Sequence, residues 1–427
     1  MLAGVMSAAG QPNPRDAQRP ANPVLWVPGT ADCRISVEVD PSYESPSGQC
    51  PGGVNLTAVY GYSPAYDDET TQEPPGVRTS LEGGTAGTAD YLKPWYDALA
   101  SRGFSTEPGS PNFDVACWDW RLTPDTVAAG AAETDPWTVR VFQAIDRLHV
   151  ASGHKPVYLV GASNGALWIK ALLDSLPQGR RQHYIASFAG FAPAIGGLNQ
   201  CFVATVLGLE LSTFNIAPPL APVVSTFPIG YYCFPQPGLW GDQQPLATDT
   251  SAGGSAVQYF PANLSSLYAA ANLSYAADLL SSFLAPESTW RHPPGVDTLL
   301  VYGFGVPTLG DVLSDAWAEG LPLRSFDESD PLASFGAINY GDGTVDTIAA
   351  GVAHAAGWAA GRCYSVAIVN ATDPTAAADY PNSTLALSQG GSPAFHDNLW
   401  TNAAGSASVA PVLDFITRPP PQRRPGC

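Results

Sequence analysis

Residues 161–165 read Gly-Ala-Ser-Asn-Gly, a G-x-S-x-G pattern that directly follows the apolar run 157–160. The next stretch, 166–176, has apolar residues at helical spacing. A serine at such a strand-to-helix turn projects its hydroxyl above the end of a sheet. The N–H of the following residue then lies at a helix N-terminus, where it can donate to an oxyanion. The pattern predicts Ser163 as a nucleophile and Asn164 as an oxyanion donor; the alternative is an ordinary glycine-rich turn.

A serine hydroxyl needs a general base, and on such an elbow an acid and then a histidine follow the serine along the chain. Four histidines follow Ser163: His183, His292, His354 and His396. His183 lies in a polar run and is expected to face solvent, and His292 precedes two prolines and is expected to be structural. His396 lies in the loop 390–396 after the last predicted strand, where the base belongs. We therefore predict His396 as the base, with His354 as the alternative.

The segment 340–346 offers two carboxylates, Asp342 and Asp346. Glycines flank Asp342 and permit a tight turn that brings its carboxylate close to a histidine Nδ1–H. Asp346 begins a helical stretch and is interpreted as an N-terminal cap. Asp342 is therefore the predicted acid, which fixes the imidazole tautomer and stabilises the imidazolium.

A second oxyanion donor is expected in the loop after an early strand. The early apolar run 23–27 ends in Pro28-Gly29, which indicates a strand and a tight turn. The backbone N–H of Thr30 is the predicted donor.

The elements that must position these residues alternate along the chain. Apolar runs predict strands at 23–27, 113–118, 157–160, 298–302 and 364–369, and helical spacing predicts helices at 91–102, 137–148 and 166–176. This alternation is typical of a parallel sheet in an α/β protein. Residues 35–39 alternate like a half-buried strand, whereas 41–90 are predicted as a glycine- and proline-rich loop.

Residues 198–290 break this rhythm and are interpreted as an inserted cap over the carboxyl edge of the sheet, with helices near 264–271 and 275–283. The predicted organisation is a polar tail (1–20), a core in two parts (21–197 and 291–417), the cap between them, and a disordered tail (418–427). Aromatic residues of the cap suit either an acyl-chain groove at a lipid interface or the core of the cap: Phe202, Tyr231, Tyr232, Phe234 and Trp240.

Composition limits the function. The chain has 427 residues, is 45% apolar and 13% charged, and carries a net charge of −19. A large core is therefore available, and a nucleic-acid binder or a polybasic membrane anchor is disfavoured. No metal or cofactor is predicted, because the sequence has no HExxH, Walker or dinucleotide motif.

The longest apolar stretch, 201–231, is interrupted by Glu210 and four prolines and is not a membrane span. The oligomeric state is left open.

Cysteines and sequons bear on the compartment. Four of the seven cysteines form two pairs that are close in sequence, Cys33 with Cys50 and Cys201 with Cys233, and each pair could close a loop in an oxidising compartment. The alternative is free thiols in a cytosolic enzyme. Five N-x-S/T sequons fall in predicted loops or surface helices: Asn55, Asn263, Asn272, Asn370 and Asn382. Together these features favour a secretory route, secreted or lumenal. Residues 1–10 are too short for the apolar region of a signal peptide, so either a signal segment lies upstream of Met1 or the protein is cytosolic.

Several stretches resemble motifs of the lecithin:cholesterol acyltransferase family, which includes lysosomal phospholipase A and the phospholipid:diacylglycerol acyltransferases. Residues 118–124 (WDWRLTP) resemble its Y-D-W-R-L-A-P, and 302–308 (YGFGVPT) match Y-G-x-G-V-P-T. Residues 191–197 resemble its G-A-P-W-G-G. Asp342 falls in a G-D-G-T-V stretch, and 396–399 resemble H-x-x-[IM].

The resemblance implies an α/β-hydrolase fold, a mostly parallel sheet with an inserted cap. It implies acyl transfer from a glycerophospholipid at a lipid interface, through an acyl-serine, to water or an alcohol. Ala162 stands where the family has histidine, and Thr30 where the lysosomal enzymes have aspartate, so their acid-favoured acceptor chemistry need not transfer. Cys50 matches one half of the family's lid disulfide, with Cys33 as its implied partner.

The tryptophan and arginine of the W-D-W-R stretch are expected to be structural, below the elbow. Two other functions remain open at this point. One is a soluble carboxylesterase, thioesterase or lipase acting on other esters, and the other is a non-catalytic lipid-binding protein.

Overall fold

The structure is a computed structural model. It describes residues 22–30, 32–39, 77–81, 83–107, 111–125, 136–207, 209–210, 215–216, 224–225, 227–241, 244–250, 256–270, 274–303, 306–309, 311–314, 338–342, 344–345, 352–358, 366–370, 396, 398–401 and 408–418.

The strands of the described residues are β1 (Val24–Val27), β2 (Ile35–Val39), β3 (Val77–Leu81), β4 (Phe113–Val115), β5 (Val157–Ala162), β6 (Ile185–Phe191), β7 (Leu209–Glu210), β8 (Asn215–Ile216), β9 (Ala247–Asp249), β10 (Val257–Tyr259), β11 (Asp297–Tyr302), β12 (Val306–Leu309), β13 (Val312–Ser314), β14 (Ile338–Gly341) and β15 (Val366–Asn370).

The α-helices of the same residues are α1 (Lys93–Ala100), α2 (Trp137–Ala151), α3 (Asn164–Ser175), α4 (Gln178–Tyr184), α5 (Asn199–Leu207), α6 (Pro228–Tyr232), α7 (Pro237–Trp240), α8 (Leu264–Ala270), α9 (Ser274–Phe283), α10 (Ser288–Arg291), α11 (Val352–Ala355), α12 (Asn398–Thr401) and α13 (Val409–Thr417). Short 3-10 helices cover Thr85–Gly87, Asp90–Leu92 and Pro261–Asn263.

The central sheet has six strands in the order β15-β11-β6-β5-β1-β4, and every pairing in it is parallel. All six residues of β5 are buried. This explains its unbroken apolar sequence, because a parallel sheet is covered on both faces. With the serine turn directly after β5, the chain has an α/β-hydrolase fold, and the predicted fold class is confirmed.

Large aromatic residues hold α1 and α3 against this sheet. Trp26 of β1 lies 5.2 Å from Trp95 of α1, measured between ring centroids. Trp168 of α3 lies 4.0 Å from Trp118, which follows β4, and 4.9 Å from Trp137 at the start of α2. These contacts fix the helix after Ser163 from two sides, so the serine turn has a rigid base.

Residues 198–290 contain α5 to α9 and most of α10, and a disulfide between Cys201 and Cys233 ties α5 to the end of α6. The predicted pairing of these two cysteines is confirmed. In the same segment β9 pairs with β10, and also in parallel with β13 from beyond residue 290. The limits of the cap and of the other predicted domains stay predictions.

The aromatic residues named for the cap are all buried, and of the two interpretations the structure supports cap core: Phe202, Tyr231, Tyr232, Phe234 and Trp240. Phe234 packs 5.3 Å from Tyr231 and 6.0 Å from Phe202, measured between ring centroids.

The prediction that 41–90 is loop throughout is wrong. β3 pairs with β2 as an antiparallel hairpin, with Ile35 opposite Leu81, and two 3-10 helices follow it. The implied Cys33–Cys50 pairing is also not found, because Cys33 forms a disulfide with Cys117. β1 and β4 are neighbours in the sheet, so the residues that follow their carboxyl ends meet although 84 positions separate the two cysteines. Cys50 lies outside the described residues.

The sequons divide. Asn263 is exposed at the end of the 3-10 helix Pro261–Asn263. Asn370 ends the edge strand β15, so its predicted placement in a loop or surface helix is wrong. The other three sequons and the predicted tails 1–20 and 419–427 lie outside the described residues. Among the helices that the structure describes, none has the length and apolar character needed to cross a bilayer.

A buried ion pair lies on α3. The Nζ of Lys170 is 2.5 Å from both carboxylate oxygens of Asp174, and the lysine side chain has no exposed surface. Burial lowers the pKa of Lys170 to about 8, although the negative charge of Asp174 acts to raise it. Burial also raises the pKa of Asp174.

Between pH 8 and 10.5 the unfolded chain carries a proton on Lys170 that the folded chain has lost, so stability rises with pH in this window. We expect the free energy of unfolding of the wild type to increase from pH 8 to 10.5, whereas that of Lys170→Met should lack this increase. Urea unfolding at several pH values measures both. Lys93→Met is the matched control, because Lys93 pairs with Asp97 at the surface with 73% of its side chain exposed. A constant difference between the wild type and Lys170→Met from pH 8 to 10.5 would contradict this assignment.

Candidate active site

Ser163 lies in a strained turn between β5 and α3, with φ 51° and ψ −125°. A non-glycine residue in such a conformation costs about 1–3 kcal/mol and persists only where its surroundings hold it. The N–H of Ser163 donates to the carbonyl of Phe191 at 2.8 Å. Its own carbonyl accepts from the N–H groups of Ala166 at 3.1 Å and Ala194 at 3.3 Å. The backbone of the predicted nucleophile is therefore fixed by three hydrogen bonds.

The glycines of the G-x-S-x-G pattern are required by close backbone approach. A Cβ at Gly165 would lie 2.3 Å from the carbonyl oxygens of both Val27 and Pro28. A Cβ at Gly161 would lie 2.9 Å from the backbone nitrogen of Ala166. The elbow thus packs directly against the carboxyl end of β1, where the predicted second oxyanion donor follows.

The turn after β1 lies beside the nucleophile. A Cβ at Gly29 would come within 3.3 Å of the Cβ of Ser163. The side-chain amide of Asn164 donates to the hydroxyl of Thr30 at 2.8 Å. Because Asn164 is the first residue of α3, its N–H has no acceptor within the helix. The structure therefore brings together Ser163 and the two residues predicted as oxyanion donors.

Asp32 supports this turn, and the sequence reasoning did not identify it. Its Oδ2 accepts from the N–H of Gly29 at 2.6 Å, and its Oδ1 accepts from the hydroxyl of Tyr91. Burial raises the pKa of the nearby Tyr96 hydroxyl, and the charge of Asp32 raises it further. The available signal was an aspartate three residues after the Pro-Gly turn, a spacing typical of side-chain-stabilised turns.

The W-D-W-R stretch is structural, as predicted. The indole N–H of Trp118 donates to the carbonyl of Pro28 at 2.8 Å, directly below the turn. Asp119 and Arg121 form a buried ion pair whose shortest distance is 2.5 Å. Arg121 also accepts a backbone hydrogen bond from Ile229 at 3.2 Å, which connects the core to the segment above the site.

The predicted acid and base form a buried pair. Nδ1 of His396 is 2.8 Å from Oδ2 of Asp342, and each residue is 1% exposed. Oδ1 of Asp342 accepts from the N–H groups of Thr344 at 3.0 Å and Val345 at 2.7 Å, and these bonds hold the carboxylate in its turn. The indole of Trp400 packs edge-on against the imidazole at 5.0 Å between ring centroids. Asp342 follows β14 as predicted, but β14 pairs with β12 outside the central sheet.

A cavity lies beside Ser163 and reaches Thr344, the neighbour of the predicted acid. It encloses about 520 Å³ of empty space, part of it open to solvent. Its floor carries Thr30, Ser163 and Asn164, and Thr344, which is bonded to Asp342, lies on its wall. The rest of the lining comes from the segment above the sheet: Leu198, Gln200, Cys201, Ala204, Val224, Phe227, Ile229, Gly230 and Cys233. None of these described lining residues is charged, so the cavity is mainly apolar.

The remaining predicted alternatives lie elsewhere or are not described. His183 is exposed on α4, and His292 is exposed after α10. His354 lies on α11, and its side chain is outside the described part of the structure, as is Asp346. Within the described residues no cluster of three or more His, Cys, Asp or Glu could hold a metal ion.

Among known proteins, two that are similar to this chain are acyltransferases by name. The chain is similar to "Lysosomal phospholipase A and acyltransferase" of Bos taurus, with 25% identity over 330 residues that cover 75% of this chain and 70% of the relative. It is also similar to "Phosphatidylcholine-sterol acyltransferase" of Rattus norvegicus, with 24% identity over 61% of this chain and 53% of the relative. The model of one family, GAP1-M (GTPase-associated protein 1, middle domain), matches residues 126–215, which include the elbow.

Two solved structures share a distant likeness. A chain of the Tle4-Tli4 complex matches with a TM-score of 0.40 and 13% identity, over 81% of this chain and 91% of that chain. Phospholipase PlaB from Legionella pneumophila matches with a TM-score of 0.32 and 12% identity, over 77% of this chain and 45% of that one.

The close approach at Gly165 can be tested directly. In Gly165→Ala the new methyl group would overlap two backbone carbonyls, and we expect a loss of about 1–3 kcal/mol or more in the free energy of unfolding. Gly179→Ala is the matched control, because nothing lies within 4 Å of its Cβ position and it lies in a helix. Alanine should be neutral or stabilising there. Equal stability of the two variants in urea unfolding would refute the packing of the elbow against β1.

Proposed function

We propose that this chain is a serine-dependent acyl hydrolase or O-acyltransferase of the lecithin:cholesterol acyltransferase family. Its substrate is a glycerophospholipid, from which it releases or transfers a fatty acyl group. One observation carries the proposal: the strained Ser163 turn and Thr344 line the same apolar cavity, and the N–H of Thr344 donates to the Asp342 carboxylate that is paired with His396. The similarity to the bovine and rat acyltransferases supports the lipid substrate and the family.

In the proposed mechanism Ser163 Oγ attacks the acyl carbonyl, and His396 Nε2 takes the hydroxyl proton. Asp342 accepts from Nδ1, so it holds the imidazole in the required tautomer and stabilises the imidazolium. The N–H groups of Thr30 and Asn164 stabilise the oxyanion. His396 then gives its proton to the leaving oxygen, and the lyso-lipid departs from the acyl-serine.

Deacylation repeats these steps with water or an alcohol as the nucleophile. His396 takes a proton from the attacking oxygen, and Ser163 recovers the proton when the second tetrahedral intermediate collapses. The acyl chain occupies the apolar cavity, where the uncharged lining favours a hydrocarbon chain. The segment 198–290 is then a cap on the core formed by 21–197 and 291–417.

The same proposal places the protein on the secretory route. Two disulfides are present, and stable disulfides belong to oxidising compartments. The bovine relative is a lysosomal protein by name, which agrees with a secreted or lumenal location. The exposed Asn263 is the described sequon best placed to carry a glycan.

An uncharged lining also favours a second candidate, an esterase or lipase for neutral esters. No cation lies among the described residues of the cavity to bind a phosphate group. The two candidates share the acyl-serine and differ in the head group, so release of fatty acid from phosphatidylcholine compared with triacylglycerol separates them.

The catalytic assignment is tested with a fluorescent fluorophosphonate and with acyl release from phospholipid vesicles. Ser163→Ala should lose all labelling and turnover. His396→Ala and Asp342→Asn should lower kcat/KM by about 10³–10⁴-fold, because the base or its tautomer is lost. His354→Ala and the surface variant Ser175→Ala should match the wild type. Turnover retained in Ser163→Ala, or lost in His354→Ala instead of His396→Ala, would contradict the mechanism.

A further inference from the structure

Three polar side chains of the cavity have unused hydrogen-bonding atoms. Among the described residues, neither the amide nitrogen nor the amide oxygen of Gln200 has a partner. The same holds for Oδ1 of Asn164 and the hydroxyl of Thr344. The three residues are 5%, 4% and 3% exposed, and all line the cavity that contains Ser163.

Buried polar groups in native proteins are nearly always hydrogen-bonded, and an unsatisfied one calls for an explanation. These groups come from three separate segments: the elbow, the start of α5 and the turn that holds Asp342. Their meeting at one cavity is therefore not a local accident of one loop. A ligand that enters the cavity would supply the missing partners.

The chemistry of the cavity selects the ligand. Gln200 offers a donor and an acceptor side by side, and the Thr344 hydroxyl is both at once. A hydroxyl group is the matching ligand because it also donates and accepts. A phosphate or carboxylate would lose its hydration in a cavity whose described lining has no cation, which is unfavourable.

The position of Gln200 is fixed by its neighbours. The next residue, Cys201, is joined by a disulfide to Cys233, and the N–H of Leu198 donates to the carbonyl of Cys233 at 2.7 Å. The residues on both sides of Gln200 are thus tied to Cys233, which also lines the cavity. A polar group held this rigidly is preorganised for binding.

We propose that Gln200, assisted by Thr344, binds the hydroxyl group that accepts the acyl chain from Ser163. This inference rests on the proposed function and assigns the residue that presents the second nucleophile. The bound hydroxyl oxygen attacks the acyl carbonyl while its proton passes to His396. The bond from that carbonyl to Ser163 Oγ then breaks, the serine takes the proton back, and an ester or a fatty acid leaves. The hydroxyl belongs to an alcohol or to water.

The test uses the full chain with a labelled phospholipid in vesicles, with and without a diacylglycerol as the acceptor alcohol. Gln200→Leu and Thr344→Val keep side chains of similar volume but remove the groups that would hydrogen-bond to the bound hydroxyl. Thr344→Val also keeps the backbone N–H that donates to Asp342. We expect deacylation to fall roughly tenfold to a hundredfold in Gln200→Leu, and less in Thr344→Val. Labelling of Ser163 by a fluorophosphonate should stay within about twofold of the wild type, since acylation does not use these groups.

Gln258→Leu is the matched control, because Gln258 is exposed on β10 and should leave both products unchanged. If Gln200→Leu lowers only acyl transfer to the diacylglycerol, the bound hydroxyl is the alcohol; if it lowers fatty acid release equally, the site also holds water. Both results support the assignment.

Unchanged deacylation in Gln200→Leu, or a fall in labelling as large as the fall in turnover, would overturn the inference and leave the proposed function intact. Absence of labelling in the wild type would instead refute the proposed function. Gln200→Leu should unfold at the same or higher urea concentration than the wild type, since it replaces an unsatisfied polar group with an apolar one. A lower urea midpoint would show that Gln200 has a structural partner and would also overturn the inference.

Discussion

The positive φ of Ser163 depends on how closely the elbow approaches the end of β1. Gly165 lies against the carbonyls of Val27 and Pro28 with no room for a side chain, and the turn from Pro28 to Thr30 therefore passes directly beside the serine. Trp118 and Asp32 hold that turn from below and from the side. The strain at Ser163 is stored in a fully packed region, which is how a strained residue persists. The same packing brings Thr30 and Asn164 together.

Polarity is distributed unevenly around this turn. The carboxylate of Asp342 is buried with three hydrogen bonds, from Thr344, Val345 and His396, so its negative charge is directed at the imidazole. The adjacent cavity is apolar and without charge in its described lining. Electrostatic interactions are stronger where water is excluded, so the buried carboxylate can stabilise positive charge on the imidazole. In the proposed function the apolar walls hold an acyl chain, and the few polar atoms among them bind the reacting hydroxyl.

Much of this arrangement follows from local sequence. The apolar run before Gly161 and the helical spacing after Gly165 predict the elbow, and the glycines beside Asp342 predict a turn, because each depends on neighbouring residues. The β2–β3 hairpin was missed because Val77 to Leu81 (VRTSL) do not alternate in polarity, and a strand partner distant in sequence gives no local signal. The Cys33–Cys117 disulfide follows from the order of strands in the sheet, which spacing does not reveal. The role of Asp32 and the unsatisfied atoms of Gln200 likewise depend on tertiary contacts.

The central claim is that Ser163 carries the acyl group between donor and acceptor. It is tested most directly by mixing the protein with a phospholipid that has one isotopically labelled acyl chain, quenching in acid within one turnover, and mapping the adduct by peptide mass spectrometry. The account predicts the mass of one acyl chain on the peptide that contains Ser163, and its disappearance when acceptor alcohol is added before the quench. An acyl group on another residue, or product formation with no acyl-protein at any quench time, would contradict it.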